Sequence, residues 1–123
     1  MAQVHSVGQP VNDSERKAIR FFEEHLDDYH HIYHNLEFST ENNNPYEYDM
    51  IVVHDKAIYC IEVKGWHGHI VGNANEWRIG DFVRKSPIMT NNNKKRVLQS
   101  YLAAFDPNLN ENSVPVDSLI VLT

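Results

Sequence analysis

Glu47-Tyr48-Asp49-Met50-Ile51-Val52-Val53-His54-Asp55-Lys56-Ala57-Ile58-Tyr59-Cys60-Ile61-Glu62-Val63-Lys64 is the stretch on which the reading of this chain turns. Two apolar runs rich in β-branched and aromatic residues flank a short polar interruption, the pattern of two strands joined by a tight hairpin. A two-residue loop at Asp55-Lys56 pairs His54 with Ala57. Antiparallel partners then have residue numbers that sum to 111, which sets Asp49 opposite Glu62. Side chains alternate along a strand, so Glu62 and Lys64 share a face with Asp49, Ile51, Val53, Ile58 and Cys60, and Tyr48, Met50, Val52, Tyr59, Ile61 and Val63 take the other. A loop one residue longer or shorter would part the two carboxylates. Both faces are apolar and both need cover, which points to an α/β architecture with helices on each side of a sheet.

Charged residues avoid such interiors unless they are paired or hold a metal. Two carboxylates opposed across a strand pair, with Cβ atoms about 5 Å apart, repel each other, and a divalent cation between them removes the repulsion. Mg²⁺ suits one or two carboxylates, several waters and substrate oxygens, polarises a phosphate and lowers the pKa of an attacking water. Asp49 and Glu62 fit that ligand set, with the Val63 backbone carbonyl as a further oxygen. Lys64 is placed to orient the water or to neutralise charge developing on phosphorus. The expectation is a metal-dependent phosphodiesterase. An Asp followed by Glu-x-Lys arises often by chance, so the weight rests on its context of apolar strands, matching parity and an amphipathic helix on either side.

The chain has 123 residues, room for one domain with a single core. A formal charge of −6 argues against a free-standing nucleic-acid binder that relies on a basic surface. The basic residues are nevertheless clustered, with Arg84, Lys85, Lys94, Lys95 and Arg96 in one short stretch. That cluster reads equally well as a solvated helix start or as a phosphate-facing patch. No apolar run approaches the roughly 20 residues that cross a bilayer, and the N-terminus lacks the basic start and greasy stretch of a secretory signal, so a cytoplasmic protein is expected. Cys60 is the single cysteine, which excludes an internal disulfide and reads as a buried thiol rather than a nucleophile.

Residues 1 to 12 lack periodicity and read as a flexible arm. Asn12, Asp13 or Ser14 caps a helix from Glu15 to Leu26 with an apolar stripe of Ala18, Ile19, Phe22 and Leu26. Glu15 is by default an acid suited to the helix dipole. Tyr29 to Phe38 reads as a strand with Ile32, His34, Leu36 and Phe38 on one face, followed by a loop from Ser39 to Pro45. Gly65, Gly68, Gly72 and Gly80 punctuate a small antiparallel extension around His69-Ile70-Val71 and Trp77-Arg78-Ile79. Asn91-Asn92-Asn93 caps a second helix from Lys94 to Phe105, with Val97, Leu98, Tyr101, Leu102 and Phe105 as its stripe, ended by Asp106-Pro107-Asn108. Leu119 to Thr123 reads as a buried strand, and a core strand at the very end suggests a piece of a longer protein. His30, His31, His34, His67 and His69 offer a zinc cluster as a minor rival, without Cys pairs or a His-Glu-x-x-His helix behind it. Trp66 and Trp77 read as packing.

The order of a helix carrying Ser14-Glu15, a strand ending at Leu36-Glu37-Phe38, the run Glu47 to His54, and then Ile58-Tyr59-Cys60-Ile61-Glu62-Val63-Lys64-Gly65-Trp66-His67-Gly68-His69-Ile70 resembles the NERD (nuclease-related) domain. That family is similar to the restriction-endonuclease-like PD-(D/E)xK nucleases. The resemblance spans nearly the whole chain, with Trp66, Gly68, Ile70 and Trp77 in its more distinctive part, and makes residues 13 to 123 the domain. It implies an α-β-β-β-α-β core with a mixed central sheet flanked by helices, and Mg²⁺-dependent cleavage of nucleic acid, DNA above all, with Mn²⁺ as the substitute ion. It also implies Asp49, Glu62 and Lys64 as the catalytic set, Glu15 as a helical acid near the metal, and Gln99 as a polar residue presented by the second helix. Kinase, helicase or DNA-binding domains on the same polypeptide are the implied partners. The alternative it leaves is a domain that keeps the fold and binds nucleic acid or a partner domain without cutting.

Overall fold

The computed structural model describes residues 1–39, 45–55, 57–105 and 115–123, and for Phe105 the backbone alone. The loop after Ser39, Lys56 of the hairpin and the Asp106-Pro107-Asn108 helix stop lie outside the described residues. Two helices and a five-stranded mixed sheet make the core. In chain order these are β1 (Gln3–Ser6), α1 (Asp13–His25), β2 (His31–Ser39), β3 (Pro45–Val53), β4 (Ile58–Lys64), β5 (Ile70–Gly72), β6 (Glu76–Ile79), β7 (Phe82–Lys85), α2 (Pro87–Phe105) and β8 (Val116–Leu122). Strands lie in the order β1-β2-β3-β4-β8, with β1 parallel to β2, β8 parallel to β4, and antiparallel pairing between. The expected series α-β-β-β-α-β is present as α1-β2-β3-β4-α2-β8, a restriction-endonuclease-like core. β5, β6 and β7 form the separate antiparallel extension.

The hairpin register is the one read from the letters. Met50 pairs with Ile61, Ile51 with Cys60, Val52 with Tyr59 and Val53 with Ile58, and the His54 N–H donates to the Ala57 carbonyl at 3.0 Å. Each face has its own core. Met50, Val52, Ile61 and Val63 pack with Ala18 and Ile19 of α1, whereas Ile51 and Cys60 pack with Leu98 of α2.

One expectation about faces fails, and the reason lies at a single pair of positions. Tyr48 packs with the α2 cluster rather than beside Met50, and Leu36 and Phe38 join it there while Ile32 sits in the α1 core. The β2–β3 register is continuous in number, His34 with Met50 and then Leu36 with Tyr48, but skips Asn35 and Asp49. Asn35 has φ +56°, the left-handed region that asparagine tolerates better than most residues. Leaving the extended conformation there reverses the side-chain parity of both strands.

Other differences are local. Within the stretch read as an arm, Gln3–Ser6 adds a strand to the sheet edge, and Ala2 is buried with its N–H donating to the Glu23 carbonyl at 3.0 Å. α2 begins at Pro87 rather than Lys94. Proline at the first helical position lacks only an N–H that would be unsatisfied there, and the asparagine run therefore lies inside the helix. β8 is the sheet edge rather than a covered strand, with Leu119 and Leu122 exposed. No helix among the described residues is long and apolar enough to cross a membrane.

Candidate active site

The site is built where β3 and β4 part. The ladder between them ends at Met50 and Ile61. At the next step the Asp49 side chain takes over, its Oδ2 accepting the Val63 N–H at 2.8 Å. Asp49 stands at the parity change, which aims its carboxylate between strands rather than squarely into either core. Glu62 follows the ordinary alternation toward α2. Its Oε2 lies 3.0 Å from the Lys94 Nζ and its Oε1 3.4 Å from the Lys64 Nζ.

α1 delivers the third acid. Asn12 caps the helix, its Oδ1 accepting the Glu15 N–H at 3.0 Å, which sets Glu15 in the first turn. Glu15 is only 5% exposed. Its Oε2 accepts the Val11 N–H at 3.1 Å and its Oε1 accepts from Asn35 Nδ2 at 2.9 Å. Glu15 keeps its place in the acidic first turn of α1, and its carboxylate is in addition turned inward and held by two donors.

Asn35 also fixes what lies behind it. Its Oδ1 is 2.6 Å from His34 Nδ1, and His34 Nε2 is 2.9 Å from the Ser6 hydroxyl. With the amide oxygen as acceptor, His34 carries its proton on Nδ1 and accepts from Ser6 through Nε2. The same left-handed residue thus stands across from Asp49 in the β2–β3 register and anchors Glu15.

Charge in this site is out of balance. Burial, then Glu62 and the more distant Glu15, push the Asp49 carboxyl up to about 6, against the opposing pull of the Val63 N–H and Lys94. Lys64 and Lys94 both pair with Glu62, whereas Glu15 adds its charge from farther off, its two oxygens taken by the Val11 N–H and Asn35, and the three carboxylates do not converge within 4.8 Å of one another. Hard oxygen donors in surplus negative charge are a fit for a small divalent cation.

Lys94 is the member that sequence reading placed in a basic patch rather than in the site. Starting α2 at Pro87 puts Asn91, Lys94 and Leu98 on one stripe, and that i, i+3, i+7 spacing is the signal that would have found it. The Tyr48 hydroxyl donates to the Lys94 carbonyl at 2.8 Å. Asn91 is 1% exposed, and its Nδ2 reaches the carbonyls of Cys60 at 3.0 Å and Leu119 at 3.2 Å and the Ser118 Oγ at 2.8 Å. One buried amide thus ties α2 to β4 and β8. Gln99, five residues past Lys94, is half-buried on α2, and Lys94 is the residue of that helix that pairs with Glu62. The Cys60 thiol donates to Asn91 Oδ1 at 3.5 Å, and burial pushes it up to about 12, as expected of a structural thiol.

Beside Glu62 and Lys64 opens a cavity of about 190 Å³, lined also by Trp66, Arg84, Lys85, Pro87 and Thr90. Lys64 Nζ sits 5.4 Å over the Trp66 ring, and Trp66 meets Trp77 edge-on at 6.0 Å, the packing role expected of both. A larger hollow of about 460 Å³ over the small sheet is lined by His67, His69 and Asp81 but by none of Glu15, Asp49 and Glu62. The five histidines of the zinc alternative are dispersed. His31 meets His5 at 3.0 Å, His34 meets Ser6, His30 stacks on His54, and His67 and His69 precede β5 rather than lying in a strand.

Comparison with curated proteins and with solved structures gives no match. The family model of the nuclease-related domain matches residues 11–123. On that match, which takes in every acid and lysine of the site, the chain belongs to the nuclease-related domain (NERD) family.

Proposed function

We propose that this domain hydrolyses phosphodiester bonds in nucleic acid, DNA in the first place, with Mg²⁺ as its cofactor and Mn²⁺ able to replace it. The observation that carries the reading is the place of Asp49 where β3 and β4 part, its Oδ2 on the Val63 N–H at 2.8 Å and its carboxyl raised by burial and by neighbouring Glu62. Asp49 and Glu62, with the Val63 carbonyl and Glu15 at the margin, would hold the ion. When bound, the ion supplies a polarised phosphate and a water of lowered pKa. Lys64 pairs with Glu62 at 3.4 Å and is the more exposed of the two lysines, which leaves its ammonium able to orient a water or meet charge on a phosphate oxygen. Arg84 and Lys85 in the adjoining cavity would meet the phosphate backbone. Gln99 is assigned, by resemblance, as the polar contact from α2. The domain would act in the cytoplasm beside kinase, helicase or DNA-binding domains of the same polypeptide.

The test is nicking of supercoiled plasmid DNA with and without Mg²⁺ or Mn²⁺. The reading expects cleavage that requires the ion and disappears in Glu62→Ala and Lys64→Ala while circular dichroism stays unchanged. Cleavage that survives both substitutions would overturn it. A second reading, binding without cutting, draws on one observation: Lys94 already supplies Glu62 with a cation at 3.0 Å. Mg²⁺ or Mn²⁺ binding without cleavage in the full-length protein would favour it.

A further inference from the structure

A different group of metal-type ligands sits at the far end of β3. His54 is five residues from Asp49, roughly 16 Å along a strand. His30 and His54 continue the β2–β3 register just beyond the His31–Val53 pair, and their rings stack at 4.3 Å. Asp27, from the turn after α1, places Oδ1 2.8 Å from His30 Nδ1 and is itself fixed by the Tyr29 N–H at 3.0 Å. One ligand atom from each of Asp27, His30 and His54 lies within 4.8 Å of the other two.

We propose that Asp27, His30 and His54 form a second metal site, for a zinc-class divalent ion, that clips the α1–β2 turn to the β3–β4 hairpin. Two imidazoles and a carboxylate are the donors such an ion prefers over Mg²⁺. At metal–ligand distances of about 2.0–2.2 Å, tetrahedral neighbours stand about 3.4 Å apart. The Asp27–His30 pair is already closer than that at 2.8 Å, and no separation in the group, all within 4.8 Å, need close by more than about 1.4 Å. The stacked rings must pivot to aim their lone pairs at one point, a side-chain motion in residues that are only partly covered. Behind the group, Asp55 Oδ1 lies 2.6 Å from His54 Nδ1. A carboxylate on one ring nitrogen leaves Nε2 with the lone pair, the arrangement that metal-ligating histidines commonly show. The fourth position is open to water.

The experiment is titration of the full chain with Zn²⁺ by calorimetry and with Co²⁺ by visible absorption, in an Asp49→Asn/Glu62→Gln background that removes the acids of the first site. One equivalent bound, weakened at least ten-fold by His54→Ala and by His30→Gln and unmoved by His67→Ala, supports the site. Asp27→Asn, an exposed and near-isosteric change, supplies a variant whose folding is not in question and should weaken binding as well. No binding, or binding that survives loss of both His30 and His54, would overturn it, whatever the plasmid assay shows.

Discussion

Replacing Asp49 by asparagine should stabilise the metal-free protein at neutral pH. The amide oxygen can still accept the Val63 N–H that Asp49 Oδ2 now takes at 2.8 Å, so the change removes charge and little else. Folded Asp49 gives up its proton near 6, against 3.8 for an unperturbed aspartate. Between those values the folded state binds more protons than the unfolded one, and stability falls as pH rises. The gap corresponds to roughly 3 kcal/mol at most. Asp49 is partly exposed, and screening reduces the figure to about 1–2 kcal/mol. Urea denaturation with a chelator present should therefore show Asp49→Asn more stable than the parent by about that much at neutral pH, with the difference vanishing near pH 4. Mg²⁺ should raise the midpoint of the parent and leave the variant unmoved. A variant less stable than the parent at neutral pH, or a difference that does not change with pH, would refute the reasoning.

Three further outcomes follow from the supports of the site. Asn91→Ala removes the buried amide that donates to the Cys60 carbonyl and, at the sheet edge, to the Leu119 carbonyl and should cost about 2–4 kcal/mol in chemical denaturation. Asn35→Ala should cost about 1–3 kcal/mol, from strain at φ +56° and from the lost hold on Glu15; Asn35→Gly should recover the backbone part alone, which comparison of the two midpoints would reveal. Lys94→Met removes the ammonium 3.0 Å from Glu62, so calorimetry should show Mg²⁺ binding several-fold tighter while the metal-free protein loses stability.

Strand pairing was the legible part of this chain. The hairpin register followed from loop length and period, because both depend on neighbours in sequence. The same logic gathered Asp49, Glu62 and Lys64 at one end of the β3–β4 pair. It failed at Tyr48, since the parity of that residue is set by Asn35 on the neighbouring strand, a conformation no periodicity records. It also failed over α2. Asn91 reads locally as a cap, but tertiary partners on β4 and β8 take its amide and the helix runs back to Pro87. That error hid Lys94, whose contact with Glu62 depends on where the helix begins. The inward turn of Glu15 was hidden too, for its holders, Val11 and Asn35, flank it from a loop and a distant strand.

The central claim is that Asp49 and Glu62 share a divalent ion, and a crystal grown with Mn²⁺ tests it through the anomalous signal of the metal. The account predicts a peak between the two carboxylates at oxygen distances of about 2.2 Å, absent from crystals of Glu62→Gln. Ordered carboxylates with no peak between them, or both lysines still closed on Glu62 at saturating Mn²⁺, would contradict it.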